Sequence, residues 1–432
     1  MQLKVSKANK IAGRITVPGD KSISHRAVML GAIADGITRV TGFLPADDCI
    51  STMRCFKALG VKIEQPGDTE LIIHGVGLKG LREPDDVLDT GNSGTTTRIL
   101  PGILVGQNLY AILNGDESIR RRPMGRIVDP LKLMGAQICG RAGGKFAPLS
   151  IYGSALRGID YEMPVASAQV KTSLLLAGLM ADGETVISET YKSRDHTERM
   201  LKLFGADITV DGTHYRIRGG QRLIATHVDV PGDISSAAFF IVAALILKDS
   251  KVMIENVGVN ETRTGIIDAL YRMGAQITFV DQKMISNEPR ATIEASSSNL
   301  IGTKIRGQLV PRLIDEIPVL AVAATQANGK TVIRDAQELR VKESDRIAAL
   351  GRELRKMGAH VSELEDGIII SGPTPLRGAK VKSHGDHRIA MALAIAGMVA
   401  DGETIIENSD CIAISYPRFE ETLHRLLDTA IE

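Results

Sequence analysis

Val17-Pro18-Gly19-Asp20 and Val230-Pro231-Gly232-Asp233 are the same four residues, met twice in a chain of 432, about half the chain apart. Proline holds φ, glycine admits a sharp turn, and each copy runs into a polar opening followed by an apolar helix. Two such joints predict two chain crossings, near 18–20 and 230–233, between two domains built on one plan. A finer repeat lies within each half. Ala-Asp-Gly or a relative follows an apolar helix at Gly36, Gly183, Gly329 and Gly402, with weaker copies near Gly106 and Ser250. A second helix then carries apolar residues at spacings of four and three: Ile127, Leu131, Met134; Ile266, Leu270, Met273; Phe419, Leu423, Leu426. Five of these second helices should end at Gly60, Gly135, Gly205, Gly274 and Gly358, each followed by a strand hairpin. The sixth meets the chain end.

Its missing hairpin is expected at the beginning, where Leu3 to Val5 and Arg14 to Val17 read as strands. Both termini then fall in one domain, giving 1–18 plus 233–432 for the first and 19–232 for the second. Length and a hydrophobic content of 44% allow two ordinary cores. Lys and Arg number 52 against 51 Asp and Glu, so a general electrostatic footprint for nucleic acid is missing. Aromatics at 3% and no tryptophan disfavour base-stacking platforms. Met1 to Lys10 has no apolar signal segment, and the longest apolar run, Ala237 to Leu247, is too short to span a membrane. A cytoplasmic protein without a membrane segment is expected. Cys49, Cys55, Cys139 and Cys411 form no CxxC pair and read as free thiols.

The first helix of each unit opens on Lys21-Ser22, Asn92-Ser93-Gly94-Thr95, Ser167-Ala168-Gln169, Asp233-Ile234-Ser235, Asp315-Glu316 and Asp386-His387-Arg388. Ordinary capping explains any one of them. Caps do not call for cations, however, and Lys21, Arg26, Arg98, Lys171 and Arg388 stand beside these openings. With three helix N-termini aimed alike in each domain, two such faces across a hinge would favour anions. Arg120-Arg121-Arg122 and Arg340 to Arg346 add guanidinium forks suited to phosphate and carboxylate, and Ser344 is placed to cap the helix after it.

The carriers Pro18 to Arg26, Gly91 to Thr95, Arg122-Pro123-Met124, Ser167-Ala168-Gln169, Arg340 to Arg346 and Asp386-His387-Arg388 are ordered along the whole chain. In them the sequence resembles the 5-enolpyruvylshikimate-3-phosphate synthase family. The bacterial branch with Ser-Ala-Gln-Val-Lys, here Ser167 to Lys171, is the nearest match. The resemblance implies an α/β fold: a two-domain inside-out α/β barrel, each domain three βαβαββ units in pseudo-threefold array. It implies transfer of the enolpyruvyl group of phosphoenolpyruvate to the 5-hydroxyl of shikimate 3-phosphate. Lys21, Ser22, Arg26, Ser167, Ala168, Gln169, Arg194, Asp315 and Lys342 would hold shikimate 3-phosphate. Lys21, Asn92, Gly94, Arg122, Gln169, Arg346 and Arg388 would hold phosphoenolpyruvate. Asp315, Glu343 and Lys21 would move protons. No metal or organic cofactor is called for, and a monomer is the expected state.

One position departs from the widely known members: within Cys411 to Pro417, Ile414 stands where they carry a ligand-binding lysine. The Ser-Ala-Gln-Val-Lys branch lacks it too, so this marks a subclass. A side chain at Gly94 would crowd an analogue of phosphoenolpyruvate such as glyphosate, so sensitivity to glyphosate is expected. Two rivals are a UDP-N-acetylglucosamine enolpyruvyl transferase and a non-catalytic binder of a phosphorylated metabolite. The first usually carries a loop cysteine, absent from Asn114 to Arg126; the second gives no use to Asp315 and Glu343 in an anion pocket. Gly75-Val76-Gly77-Leu78-Lys79-Gly80 fits a dinucleotide fingerprint, but Leu81-Arg82-Glu83-Pro84 is a poor helix start and a turn is expected. His25, His384 and His387 are expected in structural or capping roles.

Overall fold

The computed structural model describes residues 1–429. The chain divides into two compact units. One comprises Met1–Pro18, Pro231–Met284 and the chain from Pro289 onward; the other comprises Gly19–Val230 and Ile285–Glu288. Each has its own apolar core, and each repeats one βαβαββ plan three times, with helices inside and sheets outside.

The plan is clearest where Leu88–Asp89 runs parallel to Tyr110–Asn114, with the Gly94–Leu104 helix between them in sequence. The Gly125–Leu133 helix follows, and then Gln137–Gly140 and Phe146–Tyr152, an antiparallel pair whose second strand bonds Tyr110–Asn114. The same order across the sheet recurs with Asp160–Met163, Glu184–Glu189, His214–Arg218 and Ile208–Asp211, and again in three further four-stranded sheets. The first helix of each repeat is buried on nearly every side, and past its polar first turns it is largely apolar. Ile234–Ile246, for example, is buried from Ile234 through Leu245. The second helix buries one stripe: Gly265–Arg272 buries Ile266, Ile267 and Leu270 while Tyr271 faces solvent.

Five second helices end in one geometry. The N–H of Gly60 donates to the carbonyl of Lys57 and that of Val61 to Phe56, a Schellman closure. Identical pairs close the chain at Gly135, Gly205, Gly274 and Gly358, and all five glycines have φ between +83° and +96°. A left-handed residue at that place is why glycine recurs there.

The N-terminal strands differ from the hairpin expected of them. Gln2–Ser6 pairs antiparallel with Glu403–Glu407 and completes the sheet of the last repeat. Ala12–Thr16 leaves it and runs parallel to Lys251–Gly258 in another sheet. Ala12–Thr16 thus occupies the edge that His227–Asp229 takes beside Asp35–Thr41 in the other unit. These two strands are the ones that run into the Val-Pro-Gly-Asp copies, so at each copy the strand stays in one unit and the following helix belongs to the other. Close approach, not a left-handed φ, is what demands glycine here. A Cβ on Gly19 would lie 1.9 Å from the carbonyl oxygen of Gly42, and one on Gly232 would lie 2.9 Å from Cγ2 of Val17.

Gly75 to Gly80 forms the end of the Glu70–Val76 strand and a turn, with no helix after it. Among the described residues no helix is long and apolar enough to cross a membrane.

Candidate active site

In the unit of Gly19–Val230, the three buried first helices begin at Lys21, Gly94 and Ala168, capped by Asp20, Ser93 and Ser167. Asp20 accepts from the N–H of Ile23, Ser93 from Thr96 and Ser167 from Val170. Two of the three caps are neutral hydroxyls, so the positive helix ends are only partly offset. Arg26, buried one turn into the first helix, donates from Nε to Thr197 Oγ1 (2.7 Å), from Nη2 to Thr172 Oγ1 (2.8 Å) and from Nη1 to the carbonyl of Ser22 (2.9 Å). One guanidinium thereby ties together the helices Lys21–Ile33, Ala168–Gly178 and His196–Leu203. Burial lowers its pKa to about 10; Glu198 and Asp20 oppose the fall and the neighbouring Arg194 adds to it. Two guanidiniums in mutual repulsion are stabilised by an anion placed between them.

Arg122 is likewise buried. Its Nη2 donates to Asn92 Oδ1 and Ser118 Oγ, both at 2.9 Å, while Asn92 Nδ2 donates to Asp116. Arg98 Nη1 donates to Gln169 Oε1 at 2.9 Å, and Gln169 Nε2 donates to Thr95 Oγ1 at 3.2 Å. A Cβ on Gly94 would stand 2.9 Å from Arg122 Nη1 and 3.5 Å from Arg98 Nη1. Asn92, Gly94, Arg98, Arg122 and Gln169 are therefore one neighbourhood. Lys21 Nζ donates to Asp48 Oδ2 at 3.0 Å. Of the three consecutive arginines, Arg120 turns to the carbonyl of Gly115 and Arg121 pairs with Glu117 on the surface.

The other unit gathers a different set. Arg346, 1% exposed, donates from Nε to Asp386 Oδ2 (2.8 Å), from Nη1 to Asp315 Oδ1 (3.2 Å) and from Nη2 to Glu343 Oε2 (2.6 Å). Burial works against its charge, but Asp386, Glu343 and Asp315 outweigh it and raise its pKa. Lys342 Nζ reaches Asp315 Oδ1 at 3.4 Å, and Arg388 Nη1 donates to the Asp315 carbonyl at 3.3 Å. The side chains of Asp315 and Glu343 keep 13% and 16% of their surface exposed, so both carboxylates are reachable from solvent. Such an arrangement can hold two carboxylates at fixed places and exchange protons through them.

Comparison with known proteins follows this geometry. The family described as EPSP synthase (3-phosphoshikimate 1-carboxyvinyltransferase) matches residues 5–423. The chain belongs to that family. It is 53% identical to the 3-phosphoshikimate 1-carboxyvinyltransferase of Desulforamulus reducens, over 99% of this chain and all of the relative. It is 55% identical to that of Bacillus thuringiensis subsp. konkukian, over 97% of each. The solved EPSP synthase of Acinetobacter baumannii superposes with a TM-score of 0.88 at 46% identity, covering 98% of both chains. The enolpyruvyl transferase NikO of Streptomyces tendae, at 19% identity and a TM-score of 0.80, shares the fold, over 98% of this chain and 97% of its own.

Two local features differ from what the sequence predicts. Ser344 is not the cap of the helix Arg346–Lys356: Asp345 accepts the N–H of Ala348 at 3.0 Å, while Ser344 Oγ donates to Asp386. Asp and Ser cap about equally well, and Asp345 takes the position because it immediately precedes the first helical residue, Arg346. Lys171 stands in the first turn of the helix Ala168–Gly178, as expected, but its side chain does not face a ligand. Its side chain is fully buried, with Nζ 3.0 Å from Glu189 and 2.7 Å from Glu198. The sequence reading missed Arg263 and named Glu316 only as part of a helix opening. Arg263 is buried and donates to Asp233 Oδ1 (2.9 Å) and Ser235 Oγ (2.8 Å), and Glu316 accepts from Ser235. Arg263 lies in no repeated motif. His384 pairs with Glu353 at 2.8 Å, and His25 Nδ1 lies 2.6 Å from Thr52 Oγ1. Burial, with Lys21 and Arg26 nearby, pushes the pKa of His25 well down.

Proposed function

We propose that this EPSP synthase family member transfers the enolpyruvyl group of phosphoenolpyruvate to the 5-hydroxyl of shikimate 3-phosphate. The 5-oxygen bonds to C2 of phosphoenolpyruvate as its own proton leaves and a proton arrives at C3. Phosphate then departs from C2 while C3 gives a proton back, leaving the enol ether. Asp315 accepts the hydroxyl proton, Glu343 serves C3 in both directions, and Lys21 assists at both ligands. Arg26 and Arg194 take the 3-phosphate, with Lys21, Ser22, Ser167, Ala168, Gln169, Asp315 and Lys342 around the rest of shikimate 3-phosphate. Lys21, Asn92, Gly94, Arg122, Gln169, Arg346 and Arg388 take phosphoenolpyruvate and favour phosphate departure.

The observation that carries the chemistry is Arg346 holding Asp315 and Glu343 together, because their placement on one guanidinium fixes the orientation of both carboxyl groups. Phosphate release from phosphoenolpyruvate, measured with shikimate 3-phosphate and with UDP-N-acetylglucosamine, tests the reading. Turnover with the sugar nucleotide alone would refute it. We also propose a cytoplasmic monomer and inhibition by glyphosate through the space at Gly94. Light scattering on the purified chain tests the first, and competition against phosphoenolpyruvate tests the second.

A further inference from the structure

The bend at residues 190–195 carries Arg194, and neither strand nor helix hydrogen bonds hold it. Tyr191 is exposed, yet Ser193 beside Arg194 is buried. One buried oxygen anchors its middle. Glu189 Oε1 accepts the backbone N–H of Ser193 at 2.9 Å, the ammonium of Lys171 at 3.0 Å and the phenol of Tyr215. Lys171 lies 4.1 Å from the centre of the Tyr215 ring and also meets Glu198 at 2.7 Å. On the far side of Arg194, Asp195 accepts from Arg199 Nε at 2.9 Å.

A buried lysine between two glutamates is a costly way to fill a core, since apolar side chains of similar volume stabilise as well. Burial raises the pKa of Glu198, and Glu189 Oε1 is the oxygen that collects donors from Lys171, Tyr215 and the Ser193 backbone. The elements so joined are those of the candidate phosphate site: Lys171 rides on the helix whose first turn carries Ala168 and Gln169, and Glu198 on the helix whose Thr197 accepts from Arg26.

We propose that Glu189, held by Lys171 and Tyr215, is a positioning residue that sets the 190–195 bend so that Arg194 meets the phosphomonoester of the acceptor substrate. This rests on the reading above that Arg26 and Arg194 take that phosphate, and its function is acceptor specificity, not proton transfer.

Steady-state kinetics on the full chain test it, with shikimate 3-phosphate and with unphosphorylated shikimate as acceptors. Glu189→Gln keeps the shape and removes the charge. It should raise KM for shikimate 3-phosphate about tenfold with kcat within about threefold, leaving KM for phosphoenolpyruvate and kcat/KM for shikimate unchanged. Tyr215→Phe, which removes one donor, should raise the same KM about threefold. Equal losses with both acceptors, or an unchanged KM, would overturn the proposal in favour of a merely structural cluster. Should Glu189→Gln fail to fold, Tyr215→Phe decides by the same ratio. Arg194→Gln separates the two readings. If it leaves KM for shikimate 3-phosphate unchanged, the phosphate assignment itself is wrong. If it raises that KM while Glu189→Gln does not, only the positioning role is.

Discussion

The two units run the same helix plan to opposite electrostatic ends. In one, the buried first helices begin behind Asp20, Ser93 and Ser167, and Arg26, Arg98 and Arg122 are hydrogen-bonded to hydroxyl, amide and carbonyl oxygens. In the other they begin behind Asp233, Glu316 and Asp386, and Arg263 and Arg346 are bound to carboxylates. Helix ends supply the same partial positive charge in both. The hydroxyl caps Ser93 and Ser167 leave more of that charge for a ligand, whereas in the other unit a carboxylate stands at every opening, Asp233 and Asp386 as caps and Glu316 accepting from Ser235.

The comparison is broken most readily at the carboxylates. Asp315→Asn and Glu343→Gln should each lower kcat about 10²- to 10⁴-fold, the range of a lost general acid or base, with both KM values altered far less. A loss confined to KM would mean that this unit, too, merely binds. Next is a contrast in stability. Arg346→Ala strips a buried cation from three carboxylates and should cost about 3–5 kcal/mol in denaturant unfolding. Arg122→Ala should cost about 1 kcal/mol and instead raise KM for phosphoenolpyruvate about tenfold to a hundredfold. Equal destabilisation by the two would erase the distinction drawn here. Gly94→Ala pushes a methyl group against Arg122 and should raise KM for phosphoenolpyruvate about tenfold while weakening glyphosate more. An unaltered ratio of inhibitor to substrate affinity would count against that contact.

The smallest effect concerns His25, buried beside Lys21 and Arg26 with its pKa well below the ordinary 6.5. Here the unfolded chain binds a proton that the folded chain refuses, so stability is complete above pH 6.5 and falls as pH drops toward the folded value. His25→Asn should flatten the dependence of Tm on pH between about 7 and 5. An identical slope in the variant would show that other groups set the acid response.

How far these features could be read in advance depends on how local they are. The glycines of the five Schellman closures, the polar openings of the buried helices and their largely apolar later turns are properties of a few adjacent residues. Arg26 and Arg122 were picked out because they stand inside short motifs. Arg263 was not, since its partner Asp233 is thirty residues away and no spacing rule links them. Lys171 looked like a ligand cation on position alone, and only the packing of the Glu184–Glu189 strand and the His196–Leu203 helix against its own helix turned it inward. Asp345 displaced Ser344 as a cap by one residue, a difference too fine for pattern reading.

Periodicity and turn chemistry by themselves determined six repeats and buried first helices, and short motifs carried the resemblance to EPSP synthases, because each follows from neighbours in sequence. Tertiary structure alone decided that Gln2–Ser6 and Ala12–Thr16 part for different sheets, and that residues 315, 343 and 386 share one guanidinium. Those outcomes turn on which distant surfaces pack together. Burial then makes every unpaired charge expensive, so the charges that meet there must neutralise one another.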